Sequence, residues 1–439
     1  MLLEHEIIIA VGVFDEKRAT FKRVKCKPHF NSFTNLTRLN ERKLVFLFGI
    51  LPDEALFPII KLSLGPVQFA ADAFQRALIR GLCSQPSRDI KILNIPFVGS
   101  YPFTFRKHYF PSLRFDVENQ NVLSLGFLNI ALVQLPSRLI ACMLALRKSL
   151  DKTPTAIIVY SAHLPFLLSA LAHKLFTPHC VVILILPDMP EFMAAGSFFY
   201  RLAKKLENWI FFKLVKHVDG LVLISRHMLP ELKLKKNIPS IVVEGIHNEH
   251  LENVVPVDTG GHRYLFYSGS LDRRYGILDL LQALSLVRDQ SVELWVCGDG
   301  SGRDEVISAA RLNPRIKYIG QLPRNEVLAL QRAALALINP RRPEGLYTNL
   351  SFPSKTIEYL ASGRPTIMHK LSGIPDEYFE HAIIPRTANT EGLATAIDRI
   401  ALMSTEDQAL MGRKAREFIL NTKSTSSQVA RVLALIDQL

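Results

Sequence analysis

PRRPEGLYTNLSFPSKTIEYLASGRPTI, Pro340 to Ile367, is the segment on which the reading of this chain turns. A strand ends near Asn339, a long polar loop follows, and a helix with explicit boundary signals comes next. Ser354, behind Pro353, occupies the place of an N-cap, and Gly363 with Pro365 marks the stop. The eight residues between those signals predict a short helix. Its start, opening out of a loop, would offer unpaired N–H groups to a phosphate. Glu358, one turn inside, is placed to accept hydrogen bonds from sugar or ribose hydroxyls. The same spacing also fits an ordinary capped helix in an α/β domain.

Upstream of this segment, strands and helices alternate. HRYLFYSGSL is a strand ending at Gly269, followed by a helix over Ile277 to Arg288 and the strand VELWVCG. A helix over Arg303 to Arg311, the strand IKYIG, a helix over Arg324 to Ala334 and the strand LALIN complete the series. An earlier series begins with KLVFLFGIL at Lys43 and a helix from about Val67 to Leu82. Its further strands are Asp89 to Gly99, Ala156 to Tyr160, Cys180 to Leu186 and Gly220 to Ile224. Strands without polar alternation are covered on both faces, and interleaved helices imply parallel sheets. The periodicity lapses around Val242 to Pro256. The pattern therefore predicts two doubly wound α/β domains, 43–255 and 256–424, facing across a cleft. Residues 1–42 stand apart as an N-terminal extension, and 425–439 as a helix able to pack back on the first domain. Ligands of open parallel sheets bind beyond the carboxyl ends of the strands, which directs attention to the loops there.

With 439 residues, nearly half of them hydrophobic, the chain is a folded protein of more than one core. A net charge of +13 suits polyanions: anionic lipid, nucleic acid or phosphate-bearing substrates. The five cysteines (Cys26, Cys83, Cys142, Cys180, Cys297) are scattered without a CxxC pair, which argues for reduced thiols in a cytoplasmic setting. No apolar run reaches the length of a membrane span. The run Ile7 to Phe14 lacks a basic leader, so it does not read as a signal peptide, and the basic stretch Lys17 to Lys27 reads as a surface arm. Neither a His/Cys cluster nor grouped aspartates predict a metal site.

Several loops carry candidate chemistry. CGDGSGRDEV puts Gly298, Gly300 and Gly302 between a strand and a helix, where backbone can approach a ligand. A tight turn gives the same pattern. SGSLDRRYG places Arg273 and Arg274 after a strand, where arginines can clamp a diphosphate or form a solvated basic loop. Lys355 at the start of a helix opposes the dipole unless an anion joins it. In the first half, Gly49 marks a candidate phosphate-facing loop. Asp188 in ILPDMPEFM and His163 in YSAHLP are placed to take a proton or bind hydroxyls, or else to cap and fill the core. The helix at 196–217 carries Phe199, Leu202, Leu206, Trp209 and Ile210, with Arg201, Lys204, Lys205, Lys213 and Lys216 at its margins. That composition fits an anionic membrane surface, or a core helix with a basic edge. Features of a nucleic-acid module are absent.

YSGSLDRRYGILDLLQAL, ELWVCGDG, IKYIGQLPRNEV and FPSKTIEYLASGRPTI, in that order, resemble the GT-B glycosyltransferases, and among them the retaining enzymes of family 4. The resemblance spans Lys43 to the C-terminus and is closest to enzymes of bacterial exopolysaccharide, capsule and O-antigen synthesis. It implies two Rossmann-like domains, the second holding a UDP- or GDP-linked sugar and the first a lipid-linked saccharide, on the inner face of the membrane. It further implies that basic residues of the Gly269 loop and of the Ser354–Lys355 helix hold the diphosphate. Glu358 would bind the ribose, and Ile319 to Leu322 would line the base pocket. No metal or other cofactor is expected, since arginine, lysine and a helix terminus neutralise the leaving charge. Two places depart from the family. Ser270 and Tyr275 stand where it carries an arginine and a lysine, leaving Arg273 and Arg274 as substitutes. Leu350 stands eight before Glu358, where it has a glutamate, and Glu344 is the nearest candidate for that catalytic role. A sugar-nucleotide 2-epimerase and a catalytically silent GT-B partner subunit share the architecture.

Overall fold

A computed structural model describes residues 42–65, 67–83, 88–149, 153–193, 198–247 and 254–439. The expected N-terminal extension, with Cys26 and the basic stretch, lies outside the described residues, as do Gly196 and Ser197 of the basic helix. The described segments belong to one compact unit, Glu41–Leu439, that holds two parallel sheets.

The first sheet starts from β1 (Lys43–Phe48), whose last five residues are buried without alternation. Such a strand must be covered on both faces, and each fully buried side chain of this size contributes about 1.5–3 kcal/mol. Helix α1 (Phe69–Cys83) leads to β2 (Ile90–Asn94) on one side of β1. On the other side lie β5 (Thr155–Tyr160), β6 (Cys180–Leu186), β7 (Gly220–Leu223) and β8 (Ser240–Val242), all parallel. Between β2 and β5 come β3 (Leu113–Val117), β4 (Gln120–Ser124) and α2 (Gln134–Ser149). The spatial order is β8-β7-β6-β5-β1-β2-β4-β3. The edge departs from the all-parallel expectation, because β3 and β4 form an antiparallel hairpin. Its two turn residues, Glu118 (φ 50°) and Asn119 (φ 62°), both sit in the left-handed region, the signature of a tight hairpin turn.

Helices α2, α3 (Leu164–Phe176) and α4 (Phe198–Leu214) contribute to one core on the sheet, while α1 and the C-terminal helix contribute to a second. That last helix, α11 (Thr425–Asp437), comes back from the far end of the chain. Gly81 of α1 makes its approach possible, since a Cβ there would lie 2.5 Å from Val429. Arg88 and Asp437 pair at 2.7 Å along the same contact.

The second sheet has the order β11-β10-β9-β12-β13, all parallel. Its strands are β9 (Arg263–Ser268), β10 (Val292–Cys297), β11 (Ile316–Gly320), β12 (Ala336–Asn339) and β13 (Thr366–Met368). Helices α5 (Ile277–Leu286), α6 (Arg303–Leu312), α7 (Arg324–Ala333) and α8 (Lys355–Ala361) alternate with them. Helices α9 (Thr390–Ala401) and α10 (Thr405–Thr422) follow, and Ile397 and Ile419 anchor them in separate clusters. The loop after β12 reaches the first half of the chain. Ser225, beyond β7, donates to the carbonyl of Asn349 at 2.7 Å, and Leu350 enters the first core.

Candidate functional site

The carboxyl ends of β9, β10 and β11 and the start of α8 surround a pocket of about 470 Å³. Two backbone segments form one wall. Gly269 donates to the carbonyl of Cys297 at 2.9 Å, and Gly298 donates to that of Gly320 at 2.8 Å. Gly298 has φ +144°, and a Cβ there would lie 1.8 Å from the Gly269 carbonyl oxygen, so only glycine lets the loops touch.

The floor is a hydrogen-bonded cluster. Tyr359 Oη takes the Ser268 amide at 3.0 Å, and Gln331 Nε2 donates to Ser268 Oγ at 3.1 Å. The same Nε2 donates to Glu358 Oε1 at 2.6 Å. Arg324 donates to Glu358 Oε2 at 2.8 Å, and Lys355 Nζ stands 3.7 Å from Oε1. Burial works to raise the pKa of Glu358, but Lys355, Arg324 and the Gln331 hydrogen bond outweigh it and hold the carboxyl below its ordinary value. A carboxylate so prepared is an acceptor for hydroxyls, and the two cations beside it suit a diphosphate.

Gly269, Gly298, Leu322, Lys355 and Glu358 all line this pocket. Ser270, Asp299, Gln321, Arg324 and Val327 join them, and Gln331 braces Glu358 from behind. Sequence reading passed over Arg324 and Gln331, about two turns apart on α7, because their approach to Glu358 depends on tertiary packing. Gly300 turns instead toward Leu271 and Asp272, and Ile319 packs in the cluster beneath the floor.

The capped-helix expectation needs correcting. Helix α8 has seven residues, and Ser354 adopts helical angles without a side-chain cap. The side-chain cations at the pocket are Lys355 and Arg324. Arg273 and Arg274 are likewise not brought to the pocket. Arg273 pairs with Glu305, and Arg274 with Asp272 at 2.8 Å, both largely exposed. Glu344 is exposed and lies 3.6 Å from Arg342, away from the lining. Tyr275, in the family's lysine place, lies under the buried Arg341 guanidinium at 5.3 Å.

In the first half, the loop after β1 has its amides occupied. Gly49, Ile50 and Leu51 donate to Gln75, Asn94 and Asp72 at 2.7, 2.6 and 2.8 Å. Gly49 therefore packs against Phe97, where a Cβ would be 2.5 Å from the ring, and offers no free donor to a phosphate. Asp188 follows β6. It reaches solvent from a crowded rim, and desolvation pushes its carboxyl up to about 6. His163 follows β5 at the start of α3, between the rings of Phe97 and Phe166. Burial first, then Arg138 and Lys204, hold its pKa well below the ordinary histidine value. Arg138 of α2, which sequence reading missed, lies beside it with its Nη1 3.5 Å from Nε2.

Helix α4 shows two apolar sides. Phe211 and Val215 just beyond it are buried, with Ile210 packed on the same core. Leu202, Leu206 and Trp209 face solvent, and Lys213 lies 5.7 Å over the Trp209 ring.

Residues 262–402 match the family described as glycosyl transferases group 1. A probable glycosyltransferase, WbjE of Pseudomonas aeruginosa, is 30% identical over 202 residues, which cover 41% of this chain and 48% of that protein. The chain thus spans about half the length of that curated relative. Sucrose-phosphate synthase from Thermosynechococcus elongatus superposes with a TM-score of 0.62 at 16% identity, over 90% of this chain and 99% of the other. Anabaena Alr3699/HepE, solved in complex with UDP, gives 0.60 at 12%, over 90% and 100%. The chain has the GT-B fold, and the match to glycosyl transferases group 1 falls on its second sheet and the helices around it. The whole pocket, from Ser268 to Glu358, lies within that glycosyl transferases group 1 segment. No helix among the described residues is long and apolar enough to cross a membrane.

Proposed function

We propose that this protein transfers a sugar from a UDP- or GDP-linked donor to a lipid-linked saccharide, with retention and without a metal ion. The observation that carries the reading is the pocket in which Glu358 is held by Arg324, Gln331 and Lys355 inside the matched segment. In this reading residues 256–424 hold the donor and 43–255 the acceptor. Glu358 accepts from the ribose hydroxyls, while Lys355 and Arg324 neutralise charge that builds on the departing diphosphate. The glycosidic C–O bond to the diphosphate breaks as the acceptor oxygen bonds to the same face of that carbon. The leaving phosphate oxygen takes the acceptor proton. His163 and Asp188 are the acceptor-side groups.

The membrane contact is read from the solvent-facing Leu202, Leu206 and Trp209 of α4, with Lys205 and Lys213 at their edge. Ile140, Met143 and Leu144 of α2 are exposed as well, followed by Arg147 and Lys148. Apolar side chains edged by lysine and arginine suit the boundary of an anionic bilayer, here the cytoplasmic leaflet.

The test is to incubate the protein with labelled UDP- and GDP-sugars and a bacterial lipid extract. Label passing to the lipid fraction with release of nucleoside diphosphate is the expected result. A donor whose sugar changes configuration with no acceptor would show an epimerase instead. A fold that binds no nucleotide would show a silent partner subunit.

A further inference from the structure

Arg138 is a cation placed where the solvent cannot help it: only 4% of the residue is exposed. Among the described residues no carboxylate pairs with it. Its Nη2 donates to the Val98 carbonyl at 3.1 Å, its guanidinium lies 4.6 Å from the Phe127 ring centre, and its Nε has no partner. Burying an uncompensated charge is costly, so its position calls for a reason. What remains in reach is His163.

A guanidinium has donors only. Its Nη1 lies 3.5 Å from His163 Nε2, a contact that is a hydrogen bond when that nitrogen presents its lone pair. The bond made by one ring nitrogen decides where the proton sits on the other. The opposite tautomer would set an N–H against an N–H, and an imidazolium would set two cations side by side. Lys204 adds a second positive charge to the histidine's surroundings. The imidazole cannot swing away easily, because Phe97 and Phe166 flank it with ring centres at 5.4 and 4.3 Å.

The other nitrogen completes the pattern. Among the described residues His163 Nδ1 is buried and has no partner, and the helix start it occupies receives no side-chain cap from it. An unsatisfied buried donor costs about 1–3 kcal/mol and is found where something else is to complete it. Just before it, Ser161 is held at φ 70°, a left-handed conformation that a serine adopts at a cost. This strained turn stands at the carboxyl end of β5, where ligands of parallel sheets bind.

We propose that Arg138 is a positioning residue that fixes His163 as a neutral imidazole with its proton on Nδ1, so that His163 donates a hydrogen bond to a substrate oxygen and does not act as a base. The functional half of this inference rests on the reading of the protein as a glycosyltransferase with His163 at the acceptor side. The spectroscopic half does not.

The experiment is ¹⁵N–¹H correlation of the histidine side chains in the full-length protein, with the His163 signals assigned from their loss in His163→Asn. The wild type should show the Nδ1–H pattern without titrating between about pH 5 and 8. In Arg138→Met the signal should move toward the Nε2–H pattern and titrate near the ordinary value of about 6.5. Transfer should fall by roughly tenfold to a hundredfold in kcat with the donor KM little changed, and Arg138→Lys should recover part of it. An Nε2–H or imidazolium signal in the wild type at pH 7 would overturn the proposal without any variant having to fold. An unchanged signal in Arg138→Met would overturn it equally. Full transfer activity in His163→Asn would remove His163 from the reaction while leaving the tautomer result standing.

Discussion

Lys423 and Arg138 are both about 4% exposed, yet the chain surrounds them differently. Lys423 lies between α10 and α11, where the chain returns to the first sheet. It contacts Glu244 at 2.5 Å and Glu377 at 2.6 Å, with the Tyr378 ring centre 5.0 Å away. Glu244 itself lies just beyond β8, where the chain leaves the first sheet. The compensated cation thus ties together the two points at which the chain crosses between sheets. Arg138 has no carboxylate partner among the described residues, and it contacts His163 and the Val98 carbonyl beyond the carboxyl ends of β5 and β2. The compensated charge serves the architecture, whereas the proposed role of the uncompensated one lies in its effect on His163.

The difference can be broken most forcefully at Lys423. Lys423→Met strands Glu244, 2% exposed at its side chain, and should lower unfolding stability by about 3–5 kcal/mol in urea titrations. Adding Glu244→Met should recover much of that loss. Arg138→Met leaves no carboxylate behind, and the Val98 carbonyl keeps its bond from Gln134 Nε2 at 3.3 Å, so the cost should be about 1–2 kcal/mol, from the lost Arg138 hydrogen bond. Equal losses at the two sites would erase the contrast.

Two carboxyls sharpen it through pH. Asp188 has its pKa raised to about 6, so the folded state holds a proton that the unfolded chain has released. Its contribution to stability therefore falls as pH rises from about 4 to 6. Glu358 has its pKa lowered, so its contribution is full above the ordinary glutamate range and is lost as pH falls through the depressed value. If Asp188 acts as an ionised group in transfer, activity should rise through about pH 6, and Asp188→Asn should abolish that limb. The smallest effect belongs to Arg273→Ala with Arg274→Ala. Both arginines are exposed and paired with Glu305 and Asp272, so nucleotide affinity should stay within about twofold.

How much of this was legible in the sequence varies by element. Unbroken apolar strands such as KLVFLF and CVVILIL declared two covered sheets, and α5, α6 and α7 begin at the expected residues. Helix α2 was hidden because Ile140, Met143 and Leu144 put apolar side chains on its outer face and blur the period. The β3–β4 hairpin was hidden because its turn is Glu-Asn and not Asn-Gly. In the pocket, Lys355 and Glu358 lie on one helix and could be read from spacing. Arg324 is 34 residues from Glu358, and Arg138 is 25 from His163, so only packing brings them together. Arginine pairs in a loop look alike in sequence whether they hold a ligand or neighbouring carboxylates, and for Arg273 and Arg274 only packing reveals the pairs with Glu305 and Asp272.

The central claim is that Lys355 and Glu358 build a nucleotide site. Calorimetric titration of UDP and GDP into the wild type, Lys355→Ala and Glu358→Ala tests it most directly. The account predicts binding of one nucleotide to the wild type and a loss of about tenfold or more, roughly 1.4 kcal/mol, in each variant. Unchanged affinity in both variants would contradict it.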